Sequence, residues 1–99
     1  MTFSVSTRRD GDTLIVRVAG DLDLATEGEL AGAVAAAGEG YEEIVVDLAE
    51  TRFIDSAGIN ALLRGRRQHE RLRVVNATGI VLDVLKLGGV WEHLSEPPR

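Results

Sequence analysis

The stretch that decides the fold is Ile44-Val45-Val46-Asp47-Leu48 followed by Phe53-Ile54-Asp55-Ser56-Ala57-Gly58-Ile59. Ile44 to Leu48 is a short, nearly continuous apolar run, as expected of a central strand covered on both sides by neighbours. From about Ser56 to His69 the apolar period changes to that of a helix. Ile59, Leu62, Leu63 and the stem of Arg66 form its buried stripe. Gly65 inside that helix costs about 1 kcal/mol relative to Ala, so the helix leans on its packing. The segment from Ala49 to Ser56 reads as the loop between the two elements.

Upstream, Phe3 to Thr7 alternates apolar and polar residues, as a half-buried strand does. Arg9-Asp10-Gly11-Asp12 carries the Asp-Gly hairpin signal. Leu14, Val16 and Val18 then mark a second, antiparallel strand that ends at Gly20. Thr26, with Glu29 three residues later, has the capping-box spacing of a helix start. Leu30, Ala33, Val34 and Ala37 continue that helix to Gly38 and Gly40. Downstream, Leu72 to Val75 is a strand. Thr78 opens a third helix with Val81, Leu82, Val84 and Leu85 inward, closed by Gly88-Gly89. Val90 to Leu94 reads as a short strand or turn, with Trp91 as a core plug.

The predicted order is strand, strand, helix, strand, helix, strand, helix. The fold class is α/β: a mixed four- to five-stranded sheet, an N-terminal antiparallel hairpin followed by parallel strands. Right-handed crossovers between neighbouring parallel strands put the helices mainly on one face. One domain spans residues 1–94, and 95–99 form a C-terminal tail.

Composition narrows the function. The chain has 99 residues, of which 44% are hydrophobic and 27% charged, which is globular. Its formal net charge of −5 argues against nucleic acid or an anionic membrane as partner. There is no cysteine and there are only two histidines, His69 and His93, without partners at metal-ligand spacing. No cofactor is expected. Lys86 is the only lysine, a poor supply for amine chemistry. Arg64, Arg66, Arg67, Arg71 and Arg73 read as a solvated basic face. No signal-peptide or membrane-spanning stretch is present in the sequence, and a cytoplasmic location is expected.

Parallel strands share a carboxyl edge, where open α/β sheets place their sites. Asp21 and Asp23, Asp55 and Ser56 fall in the loops of that edge. Two readings of Ser56 remain at this point. It is either a helix N-cap or a site where the amino end of a helix accommodates a phosphate. A phosphate adds roughly −1.5 to −2 charge. Two like unit charges 4 Å apart repel by about 4 kcal/mol at an effective dielectric of 20. Asp21 and Asp23 are read either as ordinary turn residues or as part of the same charged edge. Of Phe53 and Ile54, one is expected in the core and one on the surface. An enzymatic reading is poorly supplied. Asp21-Leu22-Asp23 is followed by Ala25 where a magnesium-dependent phosphotransferase wants Thr or Val. The residues around Ser56 do not form a Gly-x-Ser-x-Gly elbow.

Three stretches together resemble the STAS domain of the anti-sigma factor antagonist (anti-anti-sigma factor) family. They are Val18-Ala19-Gly20-Asp21-Leu22-Asp23, the pair quoted at the outset, and Leu72-Arg73-Val74-Val75-Asn76 leading to Val84-Leu85-Lys86-Leu87-Gly88-Gly89-Val90. The resemblance runs from about Phe3 to Leu94. It implies the STAS-type β-α superhelix and a bacterial, non-enzymatic regulator of transcription and stress response that works by partner switching. In that family the unphosphorylated domain binds an anti-sigma factor that is also a serine kinase, and so releases the sigma factor. Phosphorylation ends the binding, and a metal-dependent serine phosphatase restores it. The resemblance carries the phosphoacceptor to Ser56 and the partner surface to Asp21, Asp23, Ile54, Asp55, Ser56 and Gly58. Neither nucleic acid nor membrane insertion is implied. The alternative within the family is a STAS-domain binding subunit of a transporter or stress-signalling complex that is not phosphorylated. The sequence departs from the family at Arg52, where a small or acidic residue is frequent, and by stopping soon after Trp91 and His93, where many relatives add a further helix.

Overall fold

The computed structural model describes residues 2–95. The elements are β1 (Ser4–Asp10), β2 (Thr13–Leu22), α1 (Glu27–Ala37), β3 (Glu43–Ile54), α2 (Ser56–Gln68), β4 (Leu72–Val75), α3 (Gly79–Leu87) and α4 (Trp91–Ser95). The four strands lie in the order β1-β2-β3-β4. β1 and β2 are antiparallel, and β2, β3 and β4 run parallel. This is the mixed α/β sheet expected from the sequence, at the four-stranded end of the expected range.

The hairpin between β1 and β2 closes with Asp10 opposite Thr13. Gly11 is left-handed, with φ 60°, and Asp12 is not. Gly at the first loop position with positive φ is the pattern of a II′ turn, whose twist matches that of the strands.

Side-chain parity then builds the core. Leu14, Val16, Val18 and Leu22 of β2, Ile44, Val46 and Leu48 of β3, and Leu72 and Val74 of β4 point to one side. They form a single cluster with Leu30 and Val34 of α1, Ala61 and Leu62 of α2, Val81 and Leu85 of α3 and Leu94 of α4. All four helices therefore cover one face of the sheet. On the other face Arg17 and Arg73 lie over the strands, paired with Asp47 at 3.9 Å and Glu43 at 3.4 Å. Val45, in register with Ile15 of β2 and Arg73 of β4, is only 9% exposed on this face.

Gly65 has a packing reason. A Cβ there would sit 3.1 Å from a Leu72 methyl and 3.7 Å from Val34. The glycine lets α2 lie close to β4 and α1, so its helix penalty is offset by the approach it permits.

Three expectations are corrected. β2 does not end at Gly20 but continues to Leu22, with register shifts near Ala19 and Gly20. β3 does not end at Leu48. Residues 49–54 remain in the strand, pairing Asp21 with Phe53 and Leu22 with Ile54. Thr51 is buried there, its hydroxyl donating to the Val18 carbonyl at 2.9 Å. Finally, residues 91–95 are a helix rather than a strand or turn, and buried Leu94 anchors it. Ser95, expected in the tail, is the last residue of α4; positions 96–99 lie outside the described residues.

Candidate functional site

The carboxyl edge of the sheet is shaped by the way α2 begins. Asp55 is the N-cap, in extended conformation, and its Oδ1 accepts the Gly58 amide at 3.0 Å. Ser56 is the first helical residue, not the cap expected as one reading of the sequence. Its side chain is exposed, and among the described residues its hydroxyl has no hydrogen-bond partner. The amino end of α2 carries no acidic residue in its first turn. Its free amides and dipole therefore face the edge with a hydroxyl at their margin.

Gly58 seats this turn on the sheet. A Cβ at Gly58 would come within 2.5 Å of the Leu22 carbonyl oxygen and 2.8 Å of Ile54 Cγ1. The Leu22 carbonyl also accepts the Asp55 amide at 3.3 Å. The end of β2 and the start of α2 are thus joined backbone to backbone.

The loop after β2 has its own lock. The Asp23 carbonyl accepts the amides of Thr26 at 3.1 Å and Glu27 at 2.8 Å, and Asp23 Oδ1 accepts the Ala25 amide at 3.0 Å. Thr26 occupies the N-cap position of α1 but makes no side-chain bond to the helix. Its hydroxyl instead accepts the Asp23 amide at 2.9 Å and donates to the Asp21 carbonyl at 2.7 Å. The expected capping box is therefore not formed. A capping bond worth about 0.5–2 kcal/mol is given to the loop instead of the helix.

The expected site residues divide by exposure. Asp21 and Ser56 are exposed, and Asp23 and Asp55 are half-buried. The Leu22–Asp55 bond and the β2–β3 register bring these four to one edge. Ile54, at 1% exposure, and buried Gly58 are interior. They support the edge from below and offer no side chain to a partner. Phe53 is the surface member of its pair, 41% exposed. Sequence reasoning missed Leu24, 76% exposed on the Asp23–Thr26 loop. Its one signal is an apolar residue outside the strand and helix periodicities. Among the described residues no group of three or more His, Asp or Glu is placed to hold a metal ion. A cavity of about 410 Å³, lined by Tyr41, Arg67, His69 and Arg71 among others, lies at the opposite, amino edge of the sheet.

Residues 5–95 match the family model described as Mlab, STAS domain. The chain belongs to the STAS domain family. No curated protein shows a significant match to it. Among solved structures, an anti-sigma factor antagonist from Mycobacterium paratuberculosis is 21% identical with a TM-score of 0.85, covering 99% of this chain and 87% of that one. The phosphorylated form of the Bacillus cell fate determinant SpoIIAA is 19% identical with a TM-score of 0.68, covering 96% and 89%. A sulfate transporter family protein from Wolinella succinogenes is 18% identical with a TM-score of 0.75, covering 87% and 74%. At these identities the likeness establishes a shared STAS fold. No helix among the described residues is long and apolar enough to cross a membrane.

Proposed function

We propose that this STAS domain is an anti-sigma factor antagonist. It is a cytoplasmic, non-enzymatic binding module that engages a serine-kinase anti-sigma factor when unphosphorylated and is released by phosphorylation of Ser56. The observation that carries the reading is the division of labour in the first turn of α2. Asp55 caps the helix, and the Ser56 hydroxyl is left exposed beside it.

A kinase supplies ATP. The Ser56 oxygen attacks the γ-phosphorus, the bond to ADP breaks, and the hydroxyl proton passes to a base of the kinase. The resulting phosphoserine needs no refolding, because the hydroxyl has no structural bond to lose. It places up to two negative charges on an edge that already holds Asp21, Asp23 and Asp55, and against the nucleotide phosphates of the partner that made it. That repulsion is the switch. A serine phosphatase acting on phospho-Ser56 resets it. SpoIIAA, solved in a phosphorylated form on this fold, and the antagonist from Mycobacterium paratuberculosis support the reading.

The family description and the transporter neighbour favour a second reading, a binding subunit of a transporter or stress-signalling complex without phosphorylation. One experiment separates the two. The protein is incubated with the kinase-type anti-sigma factor from its own genome and ATP, and the modified residue is mapped by mass spectrometry. Phosphate on Ser56 is expected. No transfer, or transfer elsewhere, overturns the proposal.

A further inference from the structure

Leu24 presents most of its side chain to water at the tip of a loop that is far from floppy. Two backbone bonds to the Asp23 carbonyl, the Asp23 carboxylate on the Ala25 amide and the Thr26 hydroxyl between Asp21 and Asp23 fix residues 21–26 in one shape. A rigid loop that displays an apolar residue has already lost the conformational entropy that binding otherwise removes. The loop is also continuous with the turn that carries Ser56, through the Leu22–Asp55 bond. Phe53, paired in register with Asp21, adds a second exposed apolar side chain on the same edge.

We propose that the 21–26 loop is a preformed recognition knob. Leu24 is the anchor that enters an apolar pocket of the protein partner, and Thr26 is the positioning residue that holds it there. The charge around the knob names the rim of that pocket. Asp21 and Asp23 flank Leu24, and Arg64, which reaches the start of α1 from α2, is itself paired there with Glu27. A partner pocket rimmed by Arg or Lys is complementary to this loop, and one rimmed by carboxylates is excluded. The inference rests on the antagonist reading and names the chemistry of its partner surface.

The test uses the full chain and the purified kinase-type anti-sigma factor from the same genome, titrated by calorimetry. Leu24→Ala is expected to weaken binding at least tenfold with an unchanged melting temperature, since the side chain is largely outside the core. Thr26→Val is expected to weaken binding and to speed amide exchange at Asp23, whereas Thr26→Ser, which keeps the hydroxyl, restores both. Leu87→Ala, at the far end of α3 and 88% exposed, serves as the off-patch control and is expected to bind as wild type. Binding by Leu24→Ala within twofold of wild type overturns the knob. Ser56→Asp is measured beside it. If Ser56→Asp is weakened and Leu24→Ala is not, the switch stands and the knob falls. If Leu24→Ala is weakened and Ser56→Asp is not, the knob stands and the phosphorylation reading falls. No binding by the wild-type chain overturns both.

Discussion

The Asp55 carboxylate accepts the amide of Gly58 at 3.0 Å, and this one bond relieves Ser56 of any part in capping α2. Two neighbouring residues that are both good helix caps therefore have separable effects. Asp55→Ala is expected to destabilise the domain by about 1 kcal/mol. Ser56→Ala is expected to leave stability within about 0.5 kcal/mol of wild type, as at an ordinary surface position. Urea denaturation of both variants checks the assignment, and a larger loss at Ser56 would reverse it.

The same separation gives opposite results in binding. Ser56→Ala is expected to hold the anti-sigma partner as the unmodified chain does. Ser56→Asp, which adds one charge at the amino end of α2, is expected to weaken it by an order of magnitude. Titration of the two variants against the kinase in the absence of ATP measures the charge effect without phosphoryl transfer.

Gly58 has no room for a methyl group. The 2.5 Å approach to the Leu22 carbonyl is to backbone, which cannot rotate away. Gly58→Ala is expected to cost about 1–3 kcal/mol by overpacking, and to disturb the joint between β2 and α2. Chemical shifts of the Leu22 and Asp55 amides would report that movement directly.

Asp47 is 9% exposed, and its Oδ1 accepts the Ala49 amide at 2.9 Å and the Asn76 side-chain amide at 3.2 Å. It holds β3 and the end of β4 together just before both reach the functional edge. Asp47→Ala leaves these donors without their acceptor, and a loss of about 1–3 kcal/mol is expected. Asn76 itself is left-handed at φ 63°, a conformation that short polar residues and glycine tolerate. Asn76→Val is accordingly expected to destabilise more than Asn76→Gly in the same denaturation series.

Gly32 lies in the middle of α1, exposed, with nothing within 4 Å of where a Cβ would sit. Unlike Gly58 and Gly65, it serves no contact within the chain. Gly32→Ala is expected to stabilise the domain by about 1 kcal/mol. For a domain of this size that is a rise in melting temperature of roughly 4–8 °C, readable by calorimetry.

The architecture was legible because period and punctuation agreed over most of the chain. The alternation of Leu14, Val16 and Val18, the Asp-Gly hairpin and the helical stripe of α2 each point one way. The second half of β3 was not legible. After Leu48 the residues Ala49-Glu50-Thr51-Arg52 lose alternation, because the register shifts opposite Ala19 and Gly20 change which side faces the core. α4 is five residues long, too short for a helical period to show. At the site, residue types identified the edge but not the roles within it. Asp55 and Ser56 are both good caps, and only backbone geometry decides between them. Thr26 has the capping-box spacing, yet tertiary bonds to Asp21 and Asp23 took its hydroxyl. Ile54 and Gly58 belong to the recognised motif as shape beneath the surface, a distinction that spacing does not carry.

Because Asp55 and Gly58 fix the first turn of α2 without help from Ser56, position 56 is free to vary without penalty to the fold. Under the proposed switch, alanine there locks the module in its partner-bound form and aspartate locks it in the released form. Each constitutive form is one residue away from the regulated one. A lineage that duplicated this domain would be able to turn one copy into a permanent activator or a permanent bystander while the other kept its response to the kinase.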